Sequence, residues 1–147
     1  RTPPRREKPE DSRAGRLLGT MSAEEEFTSG NEEFVNQNWP KALEHFSRAA
    51  QADPSKAEYS LHKAAALTKM GSFDLAVEAC HDAMKAEPNN AKPYLRKGMA
   101  LQQKGDLAGA RTVLETGQQK DPSNKQFATW LAKCGPAPAG GAGGGVG

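Results

Sequence analysis

Small and large apolar residues return along this chain at one fixed interval. Ala42, Ala76 and Ala110 stand 34 residues apart, and Trp39, Phe73 and Leu107 keep the same step, as do Gly30, Ala64 and Gly98. Ala49, Ala83 and Gly117 repeat it again, each followed by an acidic–Pro pair (Asp53-Pro54, Glu87-Pro88, Asp121-Pro122) and then by Ser55, Asn89 or Ser123. Gly71 and Gly105 share a position that Gln37 holds in the first copy. The markers predict paired helices over 23–36 and 40–52, 56–70 and 73–85, and 90–104 and 107–119. A further helix is predicted at 124–134, where Phe127, Trp130 and Leu131 fall at i, i+3 and i+4 and make one apolar face.

Each repeated position has a physical reason. Alanine and glycine let neighbouring helices approach closely, and the large apolar residues fill the space between them. The proline ends the second helix of each pair, because its ring disfavours a helical residue before it. The Ser or Asn behind it can cap the next helix, and Ser55 with Glu58 has capping-box spacing. In the third copy Asn90 is the expected cap, leaving Pro93 in the first turn, where a missing N–H costs little. A 34-residue period with small residues, an aromatic and a closing proline resembles the tetratricopeptide (TPR) repeat. The fold class expected is all-α: a TPR helical solenoid of three helix-turn-helix repeats, about 23–56, 57–90 and 91–124, plus a C-terminal capping helix at 124–134. Open arrays need such a cap, so Phe127 and Trp130 are expected in its core.

The ends of the chain differ from this middle. Residues 1–22 form a basic, Pro-rich stretch with almost nothing to bury, expected to be disordered. Met21 reads as a native start, with residues 1–20 as upstream sequence. Residues 135–147 are a Gly/Pro/Ala-rich linker that reads as leading into a longer protein. The formal net charge is +2, and residues 1–20 hold six basic against three acidic side chains, so the repeats are close to neutral and no nucleic-acid partner is expected. No apolar run approaches the roughly 20 residues of a membrane span, nor is there the apolar stretch of a secretory signal, so no membrane partner is expected. Cys80 and Cys134 read as reduced thiols, which points to the cytoplasm, the nucleus being a further compartment.

Candidate chemistry is sparse. There is no Cys-x-x-Cys, no His-x-x-x-His and no phosphate-cradling glycine loop ahead of a helix, so no metal, cofactor or catalytic residue is expected. His45 is expected at the surface, and Cys80 at a packing position. The reading is a non-catalytic protein-binding module whose first helices of each pair line a concave groove. Lys92 and Arg96, one turn apart on the third such helix, make a natural carboxylate receptor, with a merely solvated basic face as the alternative.

Two resemblances sharpen this. One class of TPR domain binds the C-terminal carboxylate of heat-shock proteins 70 and 90 through a five-residue clamp. Asn31, Lys92 and Arg96 match its positions, whereas Phe27 and His62 stand where the clamp has Lys and Asn. The resemblance implies Asn31, His62, Lys92 and Arg96 as peptide-binding residues, with a neutral His62 donating one hydrogen bond. Second, the run from Lys92 through Tyr94, Leu95, Arg96, Lys97 and Gly98 to Phe127 and Cys134 resembles the TPR region of SGT-type co-chaperones, the suppressor of the G-two allele of skp-one family. It implies an adaptor linking a Skp-type subunit of SCF ubiquitin ligases with the heat-shock protein 90 machinery, self-associating as a homodimer.

Overall fold

The computed structural model describes residues 21–136, so the N-terminal tail through Thr20 and the linker beyond Pro136 lie outside the described residues. Those between are built from α1 (Ala23–Val35), α2 (Trp39–Ala52), α3 (Ala57–Lys69), α4 (Phe73–Ala86), α5 (Lys92–Lys104), α6 (Leu107–Lys120) and α7 (Gln126–Lys133). Each odd-numbered helix pairs with the helix after it, and the three pairs stack in chain order with α7 closing the stack. The expected all-α TPR solenoid of three repeats and a capping helix is the observed architecture.

The crossings are built from small residues facing large ones, and the sizes are complementary. Phe46, Cys80 and Leu114 occupy equivalent positions on α2, α4 and α6, and all are fully buried. A methyl group on Gly30 would come within 2.6 Å of the Phe46 ring, and one on Gly98 within 2.5 Å of Leu114. In the middle repeat Ala64 stands at the glycine position, and its partner is the smaller Cys80 in one cluster with Leu67 and Ala100. The fit is that of a close-packed interior, where one methyl group is felt. A second row joins successive repeats. Tyr59, Pro93 and Phe127 share the 34-residue step and are buried, Tyr59 clusters with Ala49, and a methyl group on Gly117 would overlap the Phe127 ring. The helix α7 therefore repeats, as a fourth first helix, the role that α3 and α5 play.

Some helix ends differ from the expected caps. The box expected at Ser55 and Glu58 does not form: the Ser55 hydroxyl and amide turn back to the Asp53 carboxylate at 2.6 and 3.2 Å. The α3 N-terminus is instead capped from the next repeat, Ala57 N–H donating to the Glu87 carboxylate at 3.0 Å. A true capping box stands at α1, where Ser22 Oγ accepts from the Glu25 amide and the Glu25 carboxylate accepts from the Ser22 amide. Ser22 thus belongs to the domain and not to the tail. Asn90 caps α5, its Oδ1 accepting from Lys92 N–H at 2.9 Å with Pro93 in the first turn, and Asn124 serves α7 in the same way. At the other end Arg111 donates to the carbonyls of Cys134 and Gly135, so Gly135, expected in the linker, is held by α6.

Candidate functional site

Along α3, α5 and α7 the 34-residue step lays equivalent residues side by side. One row runs His62, Arg96, Trp130, a second Glu58, Lys92, Gln126, and a third brings Leu61 beside Leu95. These eight residues and Met99, together with Glu87, Asn90 and Asn124, line a cavity of about 510 Å3 on the concave side. The cation pair sits on the central helix of three, with Glu58, Leu61 and His62 of α3 to one side and Gln126 and Trp130 of α7 to the other. Of the four sequence-derived site residues, His62, Lys92 and Arg96 line this cavity; Asn31, on α1, is half-exposed and lies outside its lining.

Arg96 is only partly exposed, and burial pushes its guanidinium below its usual range. Among the described residues the ion pairs join His45 and Arg48 to Glu26, Arg48 to Glu44, Lys56 to Glu24 and Lys104 to Asp74. Neither Arg96 nor Lys92 enters one. The neighbour nearest in effect to Arg96 is Cys80, whose thiol burial pushes up to about 12, so it carries no counter-charge near neutrality. A half-buried cation without an ion-pair partner has lost part of its hydration, and a bound anion is one way to offset that loss. The same burial leaves Cys80 unable to act as a nucleophile, since the thiolate is the reactive form.

The α1 side of the groove has a different surface. Phe27 packs edge-on against His62 with ring centroids 4.8 Å apart, and also meets Tyr59 at 5.0 Å and Phe46 at 5.7 Å. The two residues that depart from the clamp pattern are thus in contact with each other. His62 Nδ1 lies 3.0 Å from the Glu58 carbonyl oxygen, which can only accept, so Nδ1 carries the proton. A neutral His62 then presents Nε2 as an acceptor. The expectation that it donates to an acidic ligand is overturned, because its one N–H is spent on its own helix.

Packing corrects one other expectation and adds to a second. His45 is not a free surface residue: its Nδ1 sits 2.6 Å from the buried Glu26 carboxylate, with Arg48 3.8 Å from the same oxygen. Trp130 packs against the core cluster that contains Phe127, as expected, but it is half-exposed and also lines the cavity, with the Lys133 ammonium 4.1 Å from its ring centroid. Its step of 34 residues from Arg96 was the sequence signal for that. Among the described residues no group of three or more His, Cys, Asp or Glu side chains is arranged to hold a metal ion. Nor is any described helix long and apolar enough to cross a membrane.

Comparison with known proteins agrees with this architecture. Tetratricopeptide repeat family models match residues 27–91 and 67–134. Stress-induced-phosphoprotein 1 of Caenorhabditis elegans is 36% identical over 112 residues, which is 76% of this chain and 35% of that protein. The chain thus spans about a third of that relative's length, and 19% of the wheat (Triticum aestivum) Hsp70-Hsp90 organizing protein it also matches. The second TPR domain of human RPAP3, solved with the HSP70 peptide SGPTIEEVD, superposes with a TM-score of 0.73 at 29% identity, covering 78% of this chain and 95% of that one. The TPR2B domain of yeast Sti1, solved in a complex with pHsp70, gives 0.72 at 29% identity, covering 76% and 94%. Residues 27–134 are therefore a tetratricopeptide repeat domain, related to those of the Hsp70/Hsp90-organizing co-chaperones.

Proposed function

We propose that the concave groove binds an acidic peptide segment of a heat-shock protein, and that the domain acts by this non-catalytic contact as a co-chaperone adaptor. The observation that carries the reading is Arg96: a partly buried guanidinium on the cavity wall, beside Lys92, with no anionic partner among the described residues. Arginine's planar fork suits bidentate capture of a carboxylate, and Lys92 adds a point charge one turn away. Similarity to a domain solved with an HSP70 peptide supports the choice of ligand. Calorimetric titration with SGPTIEEVD tests it. Arg96→Ala is expected to cost about 1.5–3 kcal/mol, the worth of a charge-assisted hydrogen-bond pair. Absence of measurable heat with the unaltered chain at millimolar peptide contradicts the reading.

A second reading rests on the SGT-type run from Lys92 to Gly98 and on the buried Cys134 that closes the cap. In it the domain joins a Skp-type SCF subunit to the heat-shock protein 90 machinery, and pairs with a second copy through the exposed apolar residues Val35, Leu75 and Leu107. Co-sedimentation with a purified Skp-type subunit tests the first part. A strict monomer over a tenfold concentration range removes the second.

A further inference from the structure

The cation pair is central in its cavity, and that position bears on which part of an acidic ligand is read. Arg96 stands between His62 and Trp130, and Lys92 between Glu58 and Gln126, each one 34-residue step away. A peptide that ended at Arg96 would cover one flank and leave the other empty. A peptide that continued past it would cover Leu61 and His62 on one side and Met99 and Trp130 on the other.

Nor does the groove offer a second anion receptor toward α1. That helix contains no Lys or Arg and five glutamates, Glu24, Glu25, Glu26, Glu32 and Glu33. Phe27 and His62 are packed against each other, and the ring N–H of a neutral His62 is committed to Glu58. Asn31 supplies a neutral amide there and nothing cationic. A terminal carboxylate laid at that end would meet the packed Phe27 and His62 rings and the Asn31 amide, with no cation on α1 to hold it.

We infer that this groove reads an acidic side chain inside a peptide, flanked on both sides by apolar residues, and does not require a free chain terminus. This rests on the acidic-peptide reading above and specifies what that reading recognises. The carboxylate binds at Arg96 and Lys92, one flanking residue lies against Trp130 and Met99, and the other against Leu61 and His62. Trp130 is then a specificity-determining residue, contributed by the capping helix.

Three dye-labelled probes test this by fluorescence polarisation with the full chain: SGPTIEEVD as the free acid, the same peptide as its C-terminal amide, and the same peptide extended past its Asp by Gly-Ser-Gly-Ser-amide. The expected result is that all three bind within about threefold of one another, less than one tenfold step of about 1.4 kcal/mol. Lys92→Ala, at an exposed position that folding tolerates, weakens all three in parallel, as does Arg96→Ala, by about tenfold or more. Trp130→Ala also weakens all three. Loss of more than threefold on amidation or extension, with the free acid still bound, overturns the inference and leaves the acidic-peptide reading standing. Equal affinity of all three for the Trp130→Ala variant and the unaltered chain overturns the two-sided occupancy. Absence of binding by every probe overturns both readings.

Discussion

In the first repeat Gly30 lies under the Phe46 ring, and in the third Gly98 lies under Leu114. The two crossings are the same device with different fillings. On the groove side the same helices have parted company. The first carries Phe27, whose ring packs against His62 and Tyr59 of α3 and Phe46 of α2. The third presents Lys92 and Arg96 without partners among the described residues. A helical repeat must keep the rows that bury its crossings, because a changed volume there is paid for in stability. The rows that face the groove are free to diverge. On the proposed reading, stability and recognition occupy different faces of one helix, and repeats alike in the first are unlike in the second.

The comparison can be broken at several points. The largest effect is expected at the cap, where Phe127 fills the space against Gly117 that Tyr59 fills earlier. Phe127→Ala should cost about 3–5 kcal/mol in urea unfolding, and truncation at Pro122 should expose the same face and cause aggregation. A soluble, fully folded 21–122 fragment would show that α7 is not a cap. Next come the crossings. Gly30→Val and Gly98→Val should each cost about 1–3 kcal/mol by overpacking, while Lys92→Ala, on the groove side, should stay within about 0.5 kcal/mol. Similar losses in all three would mean that the two faces are not separable.

The middle repeat makes a pH-dependent prediction. Burial raises the Cys80 thiol from 9.0 to about 12. The folded state therefore holds this proton more tightly than the unfolded chain does, so its contribution is complete below pH 9 and is lost as pH rises toward about 12. Thermal unfolding of the native chain should fall more steeply across that window than that of Cys80→Ala, and parallel curves would count against a buried neutral thiol. The smallest effect lies in the first turn between paired helices. Gln37 holds φ 63° where Gly71 and Gly105 stand in the later repeats at 80° and 105°. Gln37→Gly should stabilise by about 0.5–1 kcal/mol, the left-handed strain relieved less glycine's entropic cost. A loss of stability would show that the Gln37 side chain matters more than its backbone.

Much of the fold was legible because a 34-residue period is a statement about contacts. Once Gly30, Ala64 and Gly98 align, so must the large residues they face, and helix bounds follow to within two residues. What escaped was set by partners far away in sequence. Glu87 caps α3 from 30 residues downstream, and Glu26 meets His45 only because α1 and α2 cross. The Ser22–Glu25 box was local and visible as S-x-x-E, while Ser55 with the same spacing was drawn instead to Asp53. At the site, the pairing of Lys92 with Arg96 could be read from a helical turn. That His62 spends its N–H on Glu58, and that Trp130 walls the cavity, needed the packed helices.

The central claim is that recognition belongs to the third repeat and the cap, and an amide-resolved NMR titration of the full chain with SGPTIEEVD addresses it most directly. The account predicts the largest shifts along α5 around Lys92, Arg96 and Met99 and at the Trp130 indole, smaller ones at His62, and an Asn31 amide that stays in place. Largest shifts on α1, at Phe27 and Asn31, with α5 and α7 unmoved, would contradict it.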